Sequence, residues 1–257
     1  MKDRYGMLAV SVTDGAAVVT LDRPEKLNSL TYEFWTDLQR LLDDAAANPA
    51  VRVLVVHGAG RCFSAGGDIE GFGELADIPA RRRYQELAMQ AFRAFETFPK
   101  PTIAAVHGYA LGGGCELTLV TDLVIADSTA VFGMPEASVG LMPGLGVVRG
   151  HANVNLHWLK YMIFTGERLD AEQARLAGLV THVVEEGTHL DEALRLAALI
   201  ARKPAVALQV AKRILNRGSA EGYDYSIEAT ALLHSTHDQQ EGVAAFRERR
   251  TPHFQDR

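Results

Sequence analysis

A chain of 257 residues that is 47% hydrophobic, 23% charged and carries a net charge of -6 has the make-up of a globular protein with a substantial core. The acidic balance excludes the broad basic face that a nucleic-acid partner requires. Two cysteines, Cys62 and Cys115, and nine histidines without ligand-like spacing argue against a disulfide framework or a metal site.

The N-terminal "MKDRYGMLAV" lacks an apolar signal core and no stretch is long enough to span a bilayer, so the expectation is a cytosolic protein with no membrane partner. "LAVSVTDGAAVVTL" alternates on both sides of Asp14-Gly15, a favoured hairpin turn. "TYEFWTDLQRLLDDAAANP" sets Phe34, Trp35, Leu38, Leu41, Leu42 and Ala45 on one helical stripe, stopped by Asn48-Pro49. "VRVLVVHG" is a continuous apolar strand, as expected for one covered on both faces. The glycine-rich loop "GAGRCFSAGGDIEGFGE" follows, and then a helix carrying Tyr84, Leu87, Ala91, Phe92 and Phe95. The basic run Arg81 to Arg83 opens that helix and reads as its solvated face. "TIAAVHG", "DLVIAD" and "AVFGM" are further strands, so the pattern is α/β with a substantially parallel sheet. From about Leu156 the reading is helical with little strand, in "DEALRLAALIARKP", "AVALQVAKRIL" and "DYSIEATALLHSTHDQQEGVAAFRER". The expected division is an α/β core over residues 1–195 and a helical region over residues 196–257. The latter's apolar faces need the core or another subunit as partner.

Strand followed by glycine-rich loop occurs twice, in "VVHGAGRCFSAGGDI" and "AAVHGYALGGGCEL". Loops at the carboxyl ends of parallel strands are where α/β folds place ligands. The second loop starts a helix, whose free N–H groups favour negative charge. Two such loops could give two backbone donors to one oxygen, the geometry of an oxyanion hole; the bland reading is a pair of tight turns. Glu116, just after the glycine triplet, and Glu136, in "FGMPEASVG", are carboxylates in apolar segments. Burial raises their pKa toward acid–base usefulness, whereas a cap or an arginine partner would make each merely structural.

"CFSAGGDI", "HGYALGGGCEL" and "FGMPEASVGLMPGLG" resemble the three signature segments of the enoyl-CoA hydratase/isomerase (crotonase) superfamily. "LDRPEKLNSL", "FTGERLDAEQARLAGLVTHVV" and "EGVAAFRERRTPHF" extend the likeness over nearly the whole chain. The resemblance implies a ClpP/crotonase-like spiral of ββα units with a helical C-terminal trimerisation region, assembled as a homotrimer or homohexamer. It implies that Ala65 and Gly113 hold the thioester carbonyl through their N–H groups. Lys26, Leu27, Gly66, Gly67, Asp68 and Ile69 would then line the CoA pocket. Glu116 and Glu136 match the glutamate pair that adds water to a 2-enoyl-CoA; no metal, flavin or nicotinamide is implied, and CoA arrives with the substrate.

Keeping both acids favours hydration or its reverse over the isomerase alternative, which in this family commonly works with one acid at the Glu136 position. Another crotonase-type lyase or hydrolase with a specialised acyl group stays open. One segment departs from the hydratase pattern: "VVRGHANVNLHWLKYMIF", where His151, Asn153, Asn155, His157 and Trp158 point either to ordinary caps or to an unusual acyl pocket. "GLGVVRG" lacks the preceding strand of a dinucleotide fingerprint, and Ser64 is in no G-x-S-x-G elbow. Cys115 reads as packing rather than a nucleophile, and a silent scaffolding member is disfavoured by the intact acid pair.

Overall fold

The computed structural model describes residues 1–68, 77–203, 205–216, 227–228, 230–231 and 233–253. Its strands are β1 (Arg4–Tyr5), β2 (Leu8–Thr13), β3 (Ala16–Leu21), β4 (Val53–Gly58), β5 (Thr102–Val106), β6 (Tyr109–Leu111), β7 (Leu123–Asp127), β8 (Val131–Gly133), β9 (Arg168–Asp170) and β10 (His182–Val184). Its helices are α1 (Tyr32–Ala47), α2 (Ile78–Glu96), α3 (Gly113–Leu119), α4 (Gly146–Asn153), α5 (Leu156–Thr165), α6 (Ala171–Leu176), α7 (His189–Ala201), α8 (Ala205–Leu215) and α9 (His237–Glu248).

Asp14 and Gly15 take φ of 50° and 83°, the positive pair that the two-residue turn between β2 and β3 demands. The hairpin forms one edge of a seven-stranded sheet of order β1-β2-β3-β4-β5-β7-β10, parallel from β3 onward. Helix α1, capped by Thr31, buries the six residues of the expected stripe. With α2 it packs on one face of the sheet, where Phe34, Trp35, Phe92 and Phe95 join Leu54, Val56 and Ala104. Helix α7 covers the other face, setting Ala193 and Ala197 over Val53, Val55, Ile103 and Ala105. Burial on both sides is why β4 and β5 read as unbroken apolar runs. A second sheet of order β6-β8-β9 leads from β6 into the glycine triplet and from β8 into the turn that carries Glu136.

The C-terminal third holds more strand than its pattern suggested. β9 closes the small sheet against β8, and β10 extends the main sheet beside β7. Both are three-residue strands, too short to show a period. Helix α7 finds its partner in the α/β core, whereas α8 leaves Val206, Val210 and Ile214 exposed, four residues apart on one face. Among the described residues no helix is long and apolar enough to cross a membrane.

Candidate active site

The loop after β4 is pinned from both sides. Leu27 and Asn28, both at left-handed φ of 54° and 55°, fold back after a 3-10 turn at Pro24–Lys26. The buried Asn28 side chain accepts from Arg23 N–H and donates to Ala59 O and Cys62 O. Ser64 lies between this turn and β6: its hydroxyl donates to Asn28 O, its N–H to Tyr109 O, and its carbonyl accepts from Leu111 N–H. This is structural work, consistent with the absence of a nucleophile elbow.

That pinning decides which N–H groups are free. Ala65 N–H donates to Leu27 O at 2.9 Å, so the expectation that Ala65 contributes an open donor is corrected: its hydrogen already has an acceptor inside the protein. Gly66 N–H goes to Ser64 Oγ, Gly66 O accepts from Leu30 N–H, and Asp68 N–H goes to Leu30 O. Gly67 N–H, two residues beyond Ala65, has no acceptor among the described residues. Gly113 N–H, in the first turn of α3, has none either, as helix geometry dictates. The two are neighbours: a Cβ on Gly113 would stand 3.7 Å from Gly67 N. The Ala65 correction was not readable in the sequence, since it depends on Leu27 O and on the bridge Leu30↔Gly67, which leaves Gly67 N–H open between the bonded N–H groups of Gly66 and Asp68.

Two glycines allow this approach. Gly66 has φ of 96° and a Cβ there would meet Leu111 O at 2.6 Å; Gly112 has φ of 50° and a Cβ would come within 3.0 Å of Glu136 Oε1.

Glu116 and Glu136 face the same cavity, of about 560 Å³, which is also lined by Leu27, Ala65, Gly66, Gly67, Gly112 and Gly113. Glu116 Oε1 accepts N–H bonds from Leu145 at 2.7 Å and Gly146 at 2.9 Å, so the N-terminus of α4 holds it. The "GLG" of "GLGVVRG" therefore serves a carboxylate and follows no strand. Glu136 sits on the 3-10 turn Pro135–Val139, and its Oε2 is buried with no hydrogen-bond partner among the described residues. Burial pushes both carboxyls well above the usual carboxylate range. For Glu116 the two N–H donors oppose this; for Glu136 the charge of Glu116 adds to it. Cys115, fully buried, has its thiol pushed up by burial and by both glutamates, which removes it as a nucleophile.

Other expected positions fall outside the cavity wall. Lys26 lies on the exposed 3-10 turn, and the Asp68 carboxylate is paired with Arg23 at 2.6 Å. Ile69 lies outside the described residues. The polar segment after Met142 turns away. Asn153 donates to Leu119 O, Asn155 caps α5, His151 and His157 are exposed, and Arg149 pairs with Glu96 at 2.5 Å. None of these residues, nor Trp158, lines the cavity. Sequence reasoning missed three buried polar residues that do, Gln85, Thr230 and His234. They lie on amphipathic stretches, where period alone assigns them to a solvated face or a core edge.

A family model described as enoyl-CoA hydratase/isomerase matches residues 11–257. The chain is 37% identical to the 2,3-dehydroadipyl-CoA hydratase of Escherichia coli over 97% of this chain and 99% of that one. It is 35% identical to the crotonyl-CoA hydratase of Syntrophomonas wolfei over 97% of this chain and 98% of that one. Its structure is similar to that of an enoyl-CoA hydratase/isomerase from Xanthobacter autotrophicus, with TM-score 0.89 and 30% identity over 95% of this chain and 94% of that one.

Proposed function

The chain belongs to the enoyl-CoA hydratase/isomerase family, and from that premise we propose that it adds water across the double bond of a 2-enoyl-CoA thioester, or runs the reverse dehydration. It is a hydro-lyase on this reading. The observation that carries it is one cavity holding two buried carboxyls with opposite hydrogen-bond supply, beside two N–H groups without acceptors.

The thioester oxygen sits between Gly67 N–H and Gly113 N–H, which stabilise the charge that spreads onto it as oxygen adds at Cβ. Losing one such donor costs about 3–4 kcal/mol of transition-state stabilisation. Glu116, with two N–H groups on Oε1, is the carboxyl more easily kept ionised, and it takes a proton from the attacking water. Glu136, with no donor on Oε2, is the carboxyl more easily kept protonated, and it delivers its proton to Cα. One proton enters at Glu116 and one leaves Glu136, so exchange with solvent resets the pair.

CoA is part of the substrate rather than a resident cofactor. On this reading the CoA part leaves the cavity past Leu27 toward Lys26, which is exposed on its 3-10 turn. The proposal includes a cytoplasmic location and assembly of copies as a trimer or hexamer. The exposed Val206, Val210 and Ile214 of α8 give such an assembly an apolar face to bury. Loss of enoyl-thioester absorbance across short, long, branched and aromatic 2-enoyl-CoAs tests the activity. No turnover on any of them by the folded, CoA-binding protein contradicts it. Light scattering after size exclusion tests the assembly, and a monomer contradicts that part.

A further inference from the structure

We propose that the acyl end of this cavity selects a 2-enoyl-CoA whose chain carries an oxygen at its far end, held by Gln85, Thr230 and His234. This rests on the hydratase reading and deepens it.

The cavity wall is otherwise apolar along α2, where Ala88, Met89 and Phe92 face it together with Trp35 from α1. A plain alkyl tail would need nothing else. Yet three polar side chains meet at one place on that wall, and each is almost fully buried: Gln85 is 7% exposed, Thr230 4% and His234 2%. Thr230 and His234 are one helical turn apart, with His234 N–H donating to Thr230 O at 3.1 Å, so their side chains lie on one face. Gln85 Nε2 lies 3.2 Å from His234 Nε2, which joins that face to the first turns of α2.

Burial holds His234 neutral, with its pKa lowered to about 4, so the ring nitrogen can accept from the Gln85 amide. Arg81 also ties this group in place by donating to His234 O. The Thr230 hydroxyl, by contrast, has no hydrogen-bond partner among the described residues. A buried hydroxyl left unpaired is costly, and one facing a ligand cavity has an evident partner in the ligand.

The group lies along the path of the acyl chain. Tyr84, beside Gln85, is within electrostatic range of Glu116, and the turn that carries Glu136 packs against α9, which follows His234 in the chain. A thioester seated at Gly67 and Gly113 therefore sends its tail past the two glutamates toward Gln85 and Thr230. The shared ligand chemistry is an oxygen that accepts from or donates to neutral groups, as in a hydroxyl, a carbonyl or a carboxylate. The side chains of Gln85, Thr230 and His234 that face the cavity are neutral, while the Arg81 guanidinium bonds His234 O and is not part of the lining, so this group is suited to an uncharged oxygen.

The test is kcat/KM for three matched 2-enoyl-CoAs that differ only at the chain end: methyl, hydroxyl and carboxylate. It is run on the wild type and on Thr230→Val and Gln85→Met, with folding checked by circular dichroism and CoA affinity by calorimetry. The wild type should prefer an oxygenated end, and each variant should lower the oxygenated-to-methyl ratio by about tenfold. The faster of the two oxygenated arms identifies the terminus. A wild-type preference for methyl, or equal losses on all three substrates in the variants, would overturn the proposal. Activity on none of the three would instead defeat the hydratase reading on which it rests.

Discussion

Glu116 and Glu136 share one cavity but not one hydrogen-bond environment: Glu116 Oε1 takes two backbone N–H groups and Glu136 Oε2 takes none. Chemically identical side chains are thereby separated into a carboxyl that favours its anion and one that favours its acid, which is what two-proton chemistry on a single water requires.

The first consequence is a cost in stability. A carboxyl whose folded pKa is raised stabilises the fold fully below its unfolded value of 4.5 and loses that contribution as pH rises through the folded value. Glu136→Gln removes the penalty of charging a buried acid. Its melting temperature should exceed the wild type's at pH 8–9, by on the order of 1–3 kcal/mol in stability, with the two converging near pH 4. Thermal denaturation across pH measures it, and a variant less stable than wild type at high pH contradicts the assignment.

The histidines beneath α7 predict the opposite sign. His57 is bonded to Thr20 at 2.9 Å, and burial, then His189 and His107, lower its pKa to about 4. His107 stacks on His189 with ring centroids 4.5 Å apart, and His189 is bonded to Asp127 at 3.0 Å. Below about pH 6.5 the unfolded chain binds protons that the folded His57 resists, so stability falls as pH drops from 6.5 toward 4. His57→Gln should flatten that part of the profile. An unchanged acid limb means the ring is already accessible in the fold.

A third prediction separates fold from chemistry at the glycine triplet. A Cβ on Gly113 meets only ordinary contacts, Leu30 Cδ1 at 3.4 Å and Gly67 N at 3.7 Å. Gly113→Ala should therefore fold with unchanged or slightly higher stability, helped by about 0.5–1 kcal/mol of helix propensity. Its methyl stands in front of Gly67 N–H, so kcat/KM should fall by about tenfold or more. Full activity would place the thioester oxygen elsewhere.

The fourth concerns a pair that closes the far side of α2. Arg149 and Glu96 meet at 2.5 Å with side chains 11% and 2% exposed. Arg149→Met removes the cation bonded to the buried Glu96 carboxylate and should cost about 3–5 kcal/mol, whereas adding Glu96→Gln should recover much of that. Urea denaturation of both variants checks it; equal stability of the single and double variants would show that Arg149 acts through packing alone.

Much of this architecture was legible in the residues. The α1 stripe, the Asp14-Gly15 turn and the doubly buried β4 and β5 follow from period and turn chemistry. The glycine triplet and the two acids marked the site because glycines and carboxylates are out of place in apolar runs. What stayed hidden depends on long-range contacts. β9 and β10 are strands only because β8 and β7 accept them. Whether Ala65 or Gly67 keeps a free N–H depends on where Leu27 O and Leu30 fall in space. The polarity of "VVRGHANVNLHW" drew attention to capping residues, while Gln85 and Thr230 reach the cavity from segments more than 140 positions apart.

The most direct measurement is the pH–rate profile of hydration for the wild type, Glu116→Gln and Glu136→Gln on one good 2-enoyl-CoA, with CoA affinity measured beside it. The account predicts a bell-shaped wild-type profile that reports the pair, and a loss of about 10²–10⁴-fold in each variant at undiminished CoA affinity. Retention of near wild-type turnover by either variant would contradict the two-carboxylate mechanism.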